Sequence, residues 1–524
     1  MIRTLAFTEN DLDLLRAHLL QNVGGNGDEE AAIVIAGTSR LSGEVRVLVR
    51  GVVPVPRAAL LRQAPAGLEV DPVFLATHLK RCRAEELSFL LAHSHPFSTG
   101  RVAFSGIDDG GERELMPKVF ARAPRGPHGA IVIGQTTMAA RIWESATAGA
   151  VPIDIVRVLG GGLTETALTG WHDADAAFDA IMFDRQIRAI GLATMERVRQ
   201  LTIAIVGVGG TGSQAFQQLL RSGFRRFILV DPDRVGPESV ARVAGAVSDD
   251  VAGRTFKTAI MAREARRFDP GVEVIELRAS VYERDVALRL READVIIGAT
   301  DTMVSRVVIT RLATQYLIPV IDTGIDIQLD ADGAVRRIGG RVTMLYPDGP
   351  CLDCLGVIDH DALHREVHGD AVTGGYAGDE PVPAASVVPH NALVAAAAVA
   401  ALLRLIAAPP VRPADQLFWV YDGLRGTIRP VALRAVRECG VCADARGRGD
   451  SVQLPCTESG GLADVAPPAA RTTERPTASE HGYPLDIISS CYVLLAHKWQ
   501  TADSRVHSGK EDVPENSVSE TSKT

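Results

Sequence analysis

A largely apolar run at residues 201–206 passes directly into Gly207-Val208-Gly209-Gly210-Thr211-Gly212-Ser213 and then into a mixed segment ending at Leu220. That pattern predicts a buried strand, a tight turn and a helix. Residues 227–230 and 294–299 read as further buried strands, the first ending in Asp231-Pro232-Asp233 and the second in Thr300-Asp301-Thr302, with a late strand at 417–420. Nearer the start, Thr8 and Asp11 predict an N-cap for a helix carrying Leu12, Leu14, Leu15, Leu19 and Leu20. Residues 29–37 predict a buried strand with acidic residues at its mouth, and 88–92 a short strand that breaks at His93-Ser94-His95-Pro96. Gly160-Gly161-Gly162 reads as a turn or hinge, followed by a bridging helix at 171–180. The longest apolar run, 392–403, is rich in alanine and stops at Arg404; it is too short to span a bilayer and predicts a buried helix. Beyond 445 the chain is rich in Pro, Ser, Thr, Glu and Gly, with only 487–496 apolar, which predicts a mostly disordered tail carrying Cys456 and Cys491 as incidental thiols.

Composition narrows the class. The 524 residues suffice for two or three domains, and 46% apolar with 23% charged residues is ordinary for a soluble globular chain. A net charge of −9 argues against nucleic acid as the main partner, because phosphate binding needs a dense basic face. Asp11 and Asp13 stand where a signal peptide would have its apolar core. Four of the seven cysteines form two C-x-x-C pairs, Cys351/Cys354 and Cys439/Cys442. Together these predict a reducing, cytoplasmic setting without a membrane, and a Cys₄ structural zinc site, with a redox dithiol as the alternative.

The glycine turn brings in the chemistry. Glycines let a backbone approach a phosphate, and the helix that follows presents open N–H groups and the positive end of its dipole. Gly207, Gly209 and Gly212 also satisfy the G-x-G-x-x-G of dinucleotide folds, so the turn alone leaves the nucleotide open. Arg242, Lys257 and Asp301 separate the readings: two cations and a carboxylate suit a triphosphate with magnesium, whereas hydride transfer leaves them without work.

From about Phe183 to Cys442 the chain resembles the ThiF/MoeB adenylyltransferases, whose fold is shared with ubiquitin-activating enzymes. The resemblance rests on Arg185-Gln186, G-x-G-G-x-G-S, D-x-D-x-V at Asp231 and Asp233, Arg242, Lys257, and Thr300-Asp301 near Arg306. It implies ATP and Mg²⁺ as cofactors, with Gly207, Gly209, Gly210 and Gly212 at the nucleotide, Gly209 and Gly212 approaching the phosphates. Asp231 would bind the ribose, with Asp233 beside it; Arg242 and Lys257 would neutralise the triphosphate, and Asp301 would position magnesium. Arg185 would reach into the partner subunit's ATP site in a homodimer. Ser239 stands where the family reads Asn, and offers one hydroxyl donor. The two cysteine pairs match the family's zinc knuckle. Residues 355–382, where thioester-forming relatives place a cysteine, contain none, so the implied product stays an acyl-adenylate. His360, His364 and His368 share one helical face, read as solvated, with contact to substrate or metal as the alternative.

In the first 150 residues, two histidines at i and i+2 past a strand end, with a carboxylate a loop later, are the right ligand types for a catalytic zinc that keeps one position open. Such an ion lowers the pKa of water to about 7, but a base must still move the proton. Histidines of a metal-free loop are the bland alternative. With H-S-H-P, Ser105-x-x-Asp108 and Glu30 seven residues before Gly37, residues 1–150 resemble the JAB/MPN zinc isopeptidases. The resemblance implies that His93, His95 and Asp108 hold zinc, Ser105 stabilises the oxyanion and Glu30 is the general acid/base. Register against Gly37 selects Glu30 over Glu29, and the S-x-x-D spacing selects Asp108 over Asp109.

The expected class is therefore α/β: a smaller α+β JAB/MPN-type domain at 1–150, a connection at 151–182, a Rossmann-like adenylation domain with a mostly parallel sheet at 183–445, and a tail at 446–524. The two resemblances imply a bifunctional enzyme of a prokaryotic ubiquitin-like modification system, defence among the possible roles. It would trim or release a ubiquitin-like protein and adenylate its C-terminal glycine, with a conjugating enzyme as a further partner. The alternatives are activation of a sulfur carrier for biosynthesis, a nicotinamide dehydrogenase, and a scaffold with one inactive half.

Overall fold

The computed structural model describes residues 1–169, 180–368, 385–407, 418–431, 439 and 441–457. The expected helix at 171–180, except Ala180, and the apolar stretch 487–496 with Cys491 lie outside the described residues, as does Leu417.

The first half runs β1 (Ile2–Thr8), α1 (Glu9–Leu19), β2 (Ala31–Arg40), β3 (Glu44–Pro54), β4 (Leu60–Ala64), β5 (Gly67–Val70), α2 (Pro72–Glu85) and β6 (Ser88–Ser94). It continues with α3 (Gly106–Arg122), β7 (His128–Ile133), β8 (Met138–Trp143), β9 (Val151–Pro152), β10 (Ile155–Leu159) and β11 (Leu163–Ala167). Among the described residues, nine of these strands form one sheet in the order β11-β10-β1-β3-β2-β6-β7-β8-β9, and β4 and β5 form a hairpin apart from it. The unbroken apolar run of β2 is explained by burial of both faces. Ala32, Val34 and Ala36 pack with Leu12, Leu15 and Leu19 of α1, and Ala31, Ile33 and Ile35 pack with Leu79 and Val119 on the opposite side. Thr8 caps α1 as expected, its side chain accepting the Asp11 amide. Residues 151–167, expected as a connection, instead supply three strands of this sheet: β10 lies parallel to β1 in the register Thr4 to Ile155, and pairs with β11 on its other edge.

The second half runs α4 (Asp184–Ile190), α5 (Leu192–Gln200), β12 (Thr202–Val206), α6 (Gly210–Arg221), β13 (Arg226–Val230), α7 (Pro237–Val240), α8 (Ser248–Ala252), α9 (Lys257–Phe268) and β14 (Glu273–Leu277). There follow α10 (Arg284–Arg289), β15 (Val295–Gly298), α11 (Met303–Gln315), β16 (Val320–Leu329), β17 (Val335–Leu345), α12 (His360–His368), α13 (Val388–Ala407), β18 (Phe418–Asp422) and β19 (Thr427–Pro430). The sheet order is β14-β13-β12-β15-β16-β17-β18-β19. It is parallel from β14 to β16 and antiparallel beyond. The strand order reverses direction at β12, which places a ligand crevice at the carboxyl ends of β12 and its neighbours. α13 is, among the described residues, the one helix long and apolar enough to cross a membrane, but it packs on α6, β16 and β17 and buries Val394, Ala395, Ala398 and Leu402.

The described residues of both halves belong to a single unit, Met1–Ala469. Ala6, Leu48, Leu159 and Leu163 join the apolar cluster of the second half. Around that seam the Arg157 guanidinium lies 2.5 Å from the Asp294 carboxylate, and Arg46 donates to the carbonyl of Arg291 at 2.9 Å. The start of the stretch expected as a mostly disordered tail at 446–524 is ordered through 457. The amide of Gly37 donates to Gly447 O at 3.0 Å and the amide of Asp450 to Thr38 O at 2.7 Å, so this strap pairs with β2. A Cβ on Gly37 would stand 2.3 Å from Gly447 O, which is why that strand residue carries no side chain. Arg446 anchors the strap to Asp11 and Asp348, and Arg448 reaches Glu85.

Candidate functional site

Val206 ends β12, and Gly207 turns the chain with φ +87° against the carbonyl of Ala299. A Cβ on Gly207 would lie 2.5 Å from that oxygen. On Gly212, in the first turn of α6, it would lie 1.9 Å from Gly207 O, and on Gly210 it would lie 2.5 Å from the Asn391 amide of α13. Gly209, which precedes α6, meets nothing within 4 Å. The missing side chain of Gly212 is required by contact with Gly207, whatever the nucleotide does there. Gly209 is the position where bare backbone faces open space at the start of a twelve-residue helix, a geometry suited to an anion.

Asp231 fixes this turn from below. Its Oδ2 accepts the Val208 amide at 2.7 Å and its Oδ1 the Asp233 amide at 2.9 Å. Burial raises its pKa, opposed by the charge of Lys257, whose Nζ is 3.8 Å away. The accessible carboxylate at the strand end is Asp233, with its side chain 62% exposed and 2.6 Å from Lys257 Nζ. Lys257, at the start of α9, is itself buried, so its ammonium depends on these acidic partners. Arg242 is half-buried, and its Nε has no hydrogen-bond partner among the described residues. Ser239 is buried in α7, and its hydroxyl donates to Glu238 Oε1 at 3.1 Å. Asp301 is exposed just past β15, the strand beside β12, and Arg185 is exposed on α4.

Several residues to which the sequence reading gave no role support this crevice. Arg306 is buried and donates to Thr300 O at 2.8 Å; Asp322 lies beneath it and is ion-paired with Arg341. Asn391 packs over the glycine turn and is held by the Ser386 hydroxyl. Arg306 stands out in sequence as a landmark beside Thr300-Asp301, and Asp322, a charge inside the apolar start of β16, leaves a trace in the one-dimensional pattern.

The four knuckle cysteines converge as expected. The Sγ separations are 3.6 Å for Cys351 to Cys354, and 3.7 Å for Cys351 to Cys439 and Cys354 to Cys442. Sulfurs about 2.3 Å from a tetrahedral zinc stand roughly 3.8 Å apart, so the set fits that ion. All four thiols are free, which leaves the redox alternative without a formed disulfide. The faces of His360, His364 and His368 are exposed as read, with His360 bonded to Asp353 at 2.7 Å.

In the first half, β6 delivers His93 opposite Ala31 at the head of β2, His95 follows in the loop, and α3 brings Asp108 to both. His93 Nε2 lies 3.1 Å from Asp108 Oδ1, His95 Nε2 3.4 Å from Asp108 Oδ2, and the two Nε2 atoms are 3.3 Å apart. Ligands about 2.0–2.1 Å from a tetrahedral zinc are separated by roughly 3.3 Å, so these three atoms fit one face of such a site. Ser105 and Asp108 form a capping box at the start of α3, leaving Ser105 exposed with its hydroxyl proton free to donate. Asp109 turns away to Arg141 at 2.7 Å. The choice of Glu30 is corrected. Its Oε1 accepts the amides of Asn22 at 2.7 Å and Gln63 at 3.0 Å, whereas Glu29 Oε1 stands 3.8 Å from His95 Nε2. Successive residues project to opposite faces, and pairing of Ala31 with His93 puts the odd-numbered position on the histidine side. Burial raises the Glu29 pKa, opposed by His93 and His95.

Residues 183–441 match the model of the ThiF family. Over 282 residues the chain is 27% identical to the SAMP-activating enzyme E1 of Haloferax volcanii, covering 53% of this chain and 94% of that protein. Over 253 residues it is 24% identical to the sulfur carrier protein ThiS adenylyltransferase of Bacillus subtilis, covering 48% of this chain and 68% of that one. Among solved structures it aligns with Escherichia coli MccB with ATP at 17% identity and a TM-score of 0.40, over 52% of this chain and 76% of that chain. The parallel sheet reversing at β12, the glycine turn and the matched span agree, and residues 183–441 are a ThiF-family adenylyltransferase domain.

Proposed function

We propose that this chain adenylates the C-terminal carboxylate of a ubiquitin-like or sulfur-carrier protein with ATP and Mg²⁺, and that its His93/His95/Asp108 centre hydrolyses peptide or isopeptide bonds at that same terminus. The observation that carries the pairing is the convergence of those three side chains at tetrahedral spacing beside buried Glu29, in the same folded unit as the open glycine turn. The choice of acyl substrate draws on the relatives named for SAMP and for ThiS.

In the adenylation half, the terminal carboxylate oxygen attacks the α-phosphorus and pyrophosphate leaves. Arg242 and Lys257 offset the charge that develops, and Lys257 exchanges its bond to Asp233 for one to phosphate. Asp301 holds magnesium, and Arg185 completes the site of a second subunit in a homodimer. Without a cysteine in 355–382 the adenylate is handed directly to a sulfur donor or a conjugating enzyme. In the other half a bound zinc supplies Lewis acidity and an activated water. Glu29 carries the proton to the leaving amine, and the Ser105 hydroxyl donates to the oxyanion.

The test is a β-grasp protein ending in glycine plus a short extension, incubated with the purified full chain. Mass spectrometry is expected to show removal of the extension, and ATP–pyrophosphate exchange is expected only with the trimmed form. Exchange surviving Asp301→Ala would sink that assignment, and unchanged zinc content in a His93→Ala/His95→Ala double variant would sink the first centre. A thiocarboxylate product favours sulfur transfer; an isopeptide conjugate favours protein modification.

A further inference from the structure

α12 packs on α11, and its Glu366 reaches the first turn of that helix. Glu366 Oε1 accepts the Met303 amide at 3.0 Å and Oε2 the Val304 amide at 2.9 Å. One carboxylate from a distant helix thus satisfies two of the N–H groups that a helix start leaves open, while the Ser305 amide is taken by the Thr302 hydroxyl at 3.3 Å. On the other side of the same turn, Arg306 donates to Thr300 O at 2.8 Å and Asp301 O at 3.5 Å. The backbone on both sides of Asp301 is therefore gripped, and its carboxylate is left exposed.

The charges below this turn explain why a remote acid is needed. Arg306 and Arg341 share the single carboxylate of Asp322, at 3.9 Å from Arg306 and in direct contact with Arg341. Two cations against one buried carboxylate leave positive charge, next to the positive end of α11, that Asp301 and Glu366 both face. Asp301 is the nearest acid in sequence, and aspartate is among the strongest helix-capping residues. With Glu366 in place the Met303 and Val304 amides are filled; with Glu366 removed they stand open, and Asp301 stands two residues before Met303.

We propose that Glu366 is a positioning residue for nucleotide binding: by occupying the N-terminus of α11 it keeps the Asp301 carboxylate free for the magnesium ion of ATP. The inference rests on the adenylation reading, in which Asp301 meets that ion. The test uses the full chain and calorimetric titration with ATP, at 1 mM Mg²⁺ and in EDTA, for wild type, Glu366→Ala, Glu366→Gln and Asp301→Ala. Glu366→Ala is expected to weaken ATP binding in magnesium about tenfold, the scale of losing a charged hydrogen-bond pair, and to change binding in EDTA less than twofold. Glu366→Gln, which keeps one acceptor oxygen, is expected to fall between, and carries the test should the alanine variant not fold. Equal affinities of wild type and both Glu366 variants in magnesium would overturn the proposal. So would an equal loss in EDTA, which marks general damage to the crevice. If instead magnesium makes no difference to ATP binding by wild type, the adenylation reading of Asp301 fails, and the positioning role with it.

Discussion

Adding one methyl group at Gly209 and at Gly212 separates what the turn needs for folding from what it needs for binding. At Gly212 a Cβ would sit 1.9 Å from Gly207 O, more than 1 Å inside ordinary contact, and the obstacle is backbone within the same turn. Overpacking of this severity costs about 3 kcal/mol, against which alanine in the first turn of α6 recovers about 1 kcal/mol of helix propensity. The net loss of about 2 kcal/mol corresponds to a fall of about 4 °C in the thermal midpoint for a unit of this size. At Gly209 the backbone has φ −78° and ψ −149°, at the edge of the extended region, and an added Cβ meets nothing within 4 Å. Gly209→Ala is therefore expected to lose about 1 kcal/mol at most, less than Gly212→Ala, yet to bind ATP at least about tenfold more weakly, because the methyl stands where a phosphate must meet the backbone. Differential scanning calorimetry and ATP titration of both variants provide the assay. Gly209→Ala binding ATP like wild type, or Gly212→Ala melting with it, would refute the division of roles.

Glu29→Gln is expected to reduce hydrolysis at the first centre by about 100-fold or more, the scale of losing a general base, while Glu30→Gln stays within a few fold; the reverse order in a fusion-cleavage assay would restore the sequence-based choice. Cys439→Ser is expected to lower zinc content by one equivalent per chain and, since the strap begins just after Cys442, to admit trypsin at Arg446 and Arg448; unchanged zinc and an unchanged digest would count against the knuckle. At the seam, burial raises the carboxyls of Asp294 and Glu44 but Arg157 and Arg46 outweigh it, so both pKa values are lowered in the fold. A depressed carboxylate stabilises above its unfolded pKa and loses that contribution as pH falls through the folded one. The urea midpoint is accordingly expected to hold from pH 7 to about 5 and to fall below about pH 4, and Asp294→Asn to flatten that acid limb.

The elements legible in sequence were those whose pattern is closed within a short window. The strand at 201–206, its glycine turn and α6 form one local unit, and so does Thr8 capping α1. The four cysteines and the His93/His95/Asp108 set were also legible, since their spacing directly encodes a ligand set. Glu29 was misjudged because strand parity is a tertiary property: which of two adjacent glutamates faces the histidines is decided by β2 pairing with β6. The strands at 151–167 were read as a connection because they are short and take their place from pairing with β1. Residues 446–457 carry no apolar period, and backbone bonds and arginines hold them. Glu366 and Asn391 reach their partners from 62 and 180 positions away, beyond any local window.

The strap that leaves the cysteine knuckle and lies along β2 has a consequence for gene architecture. A chain cut after Ala445 would strip Gly37 and Thr38 of their backbone partners, Asp11 of Arg446 and Glu85 of Arg448, while the front half alone would expose Ala6, Leu48, Leu159 and Leu163. Neither piece is a ready-made domain. Under the proposed function, the two centres are dosed together at a fixed one-to-one ratio, and regulation of one against the other has to act at the sites themselves rather than through separate synthesis.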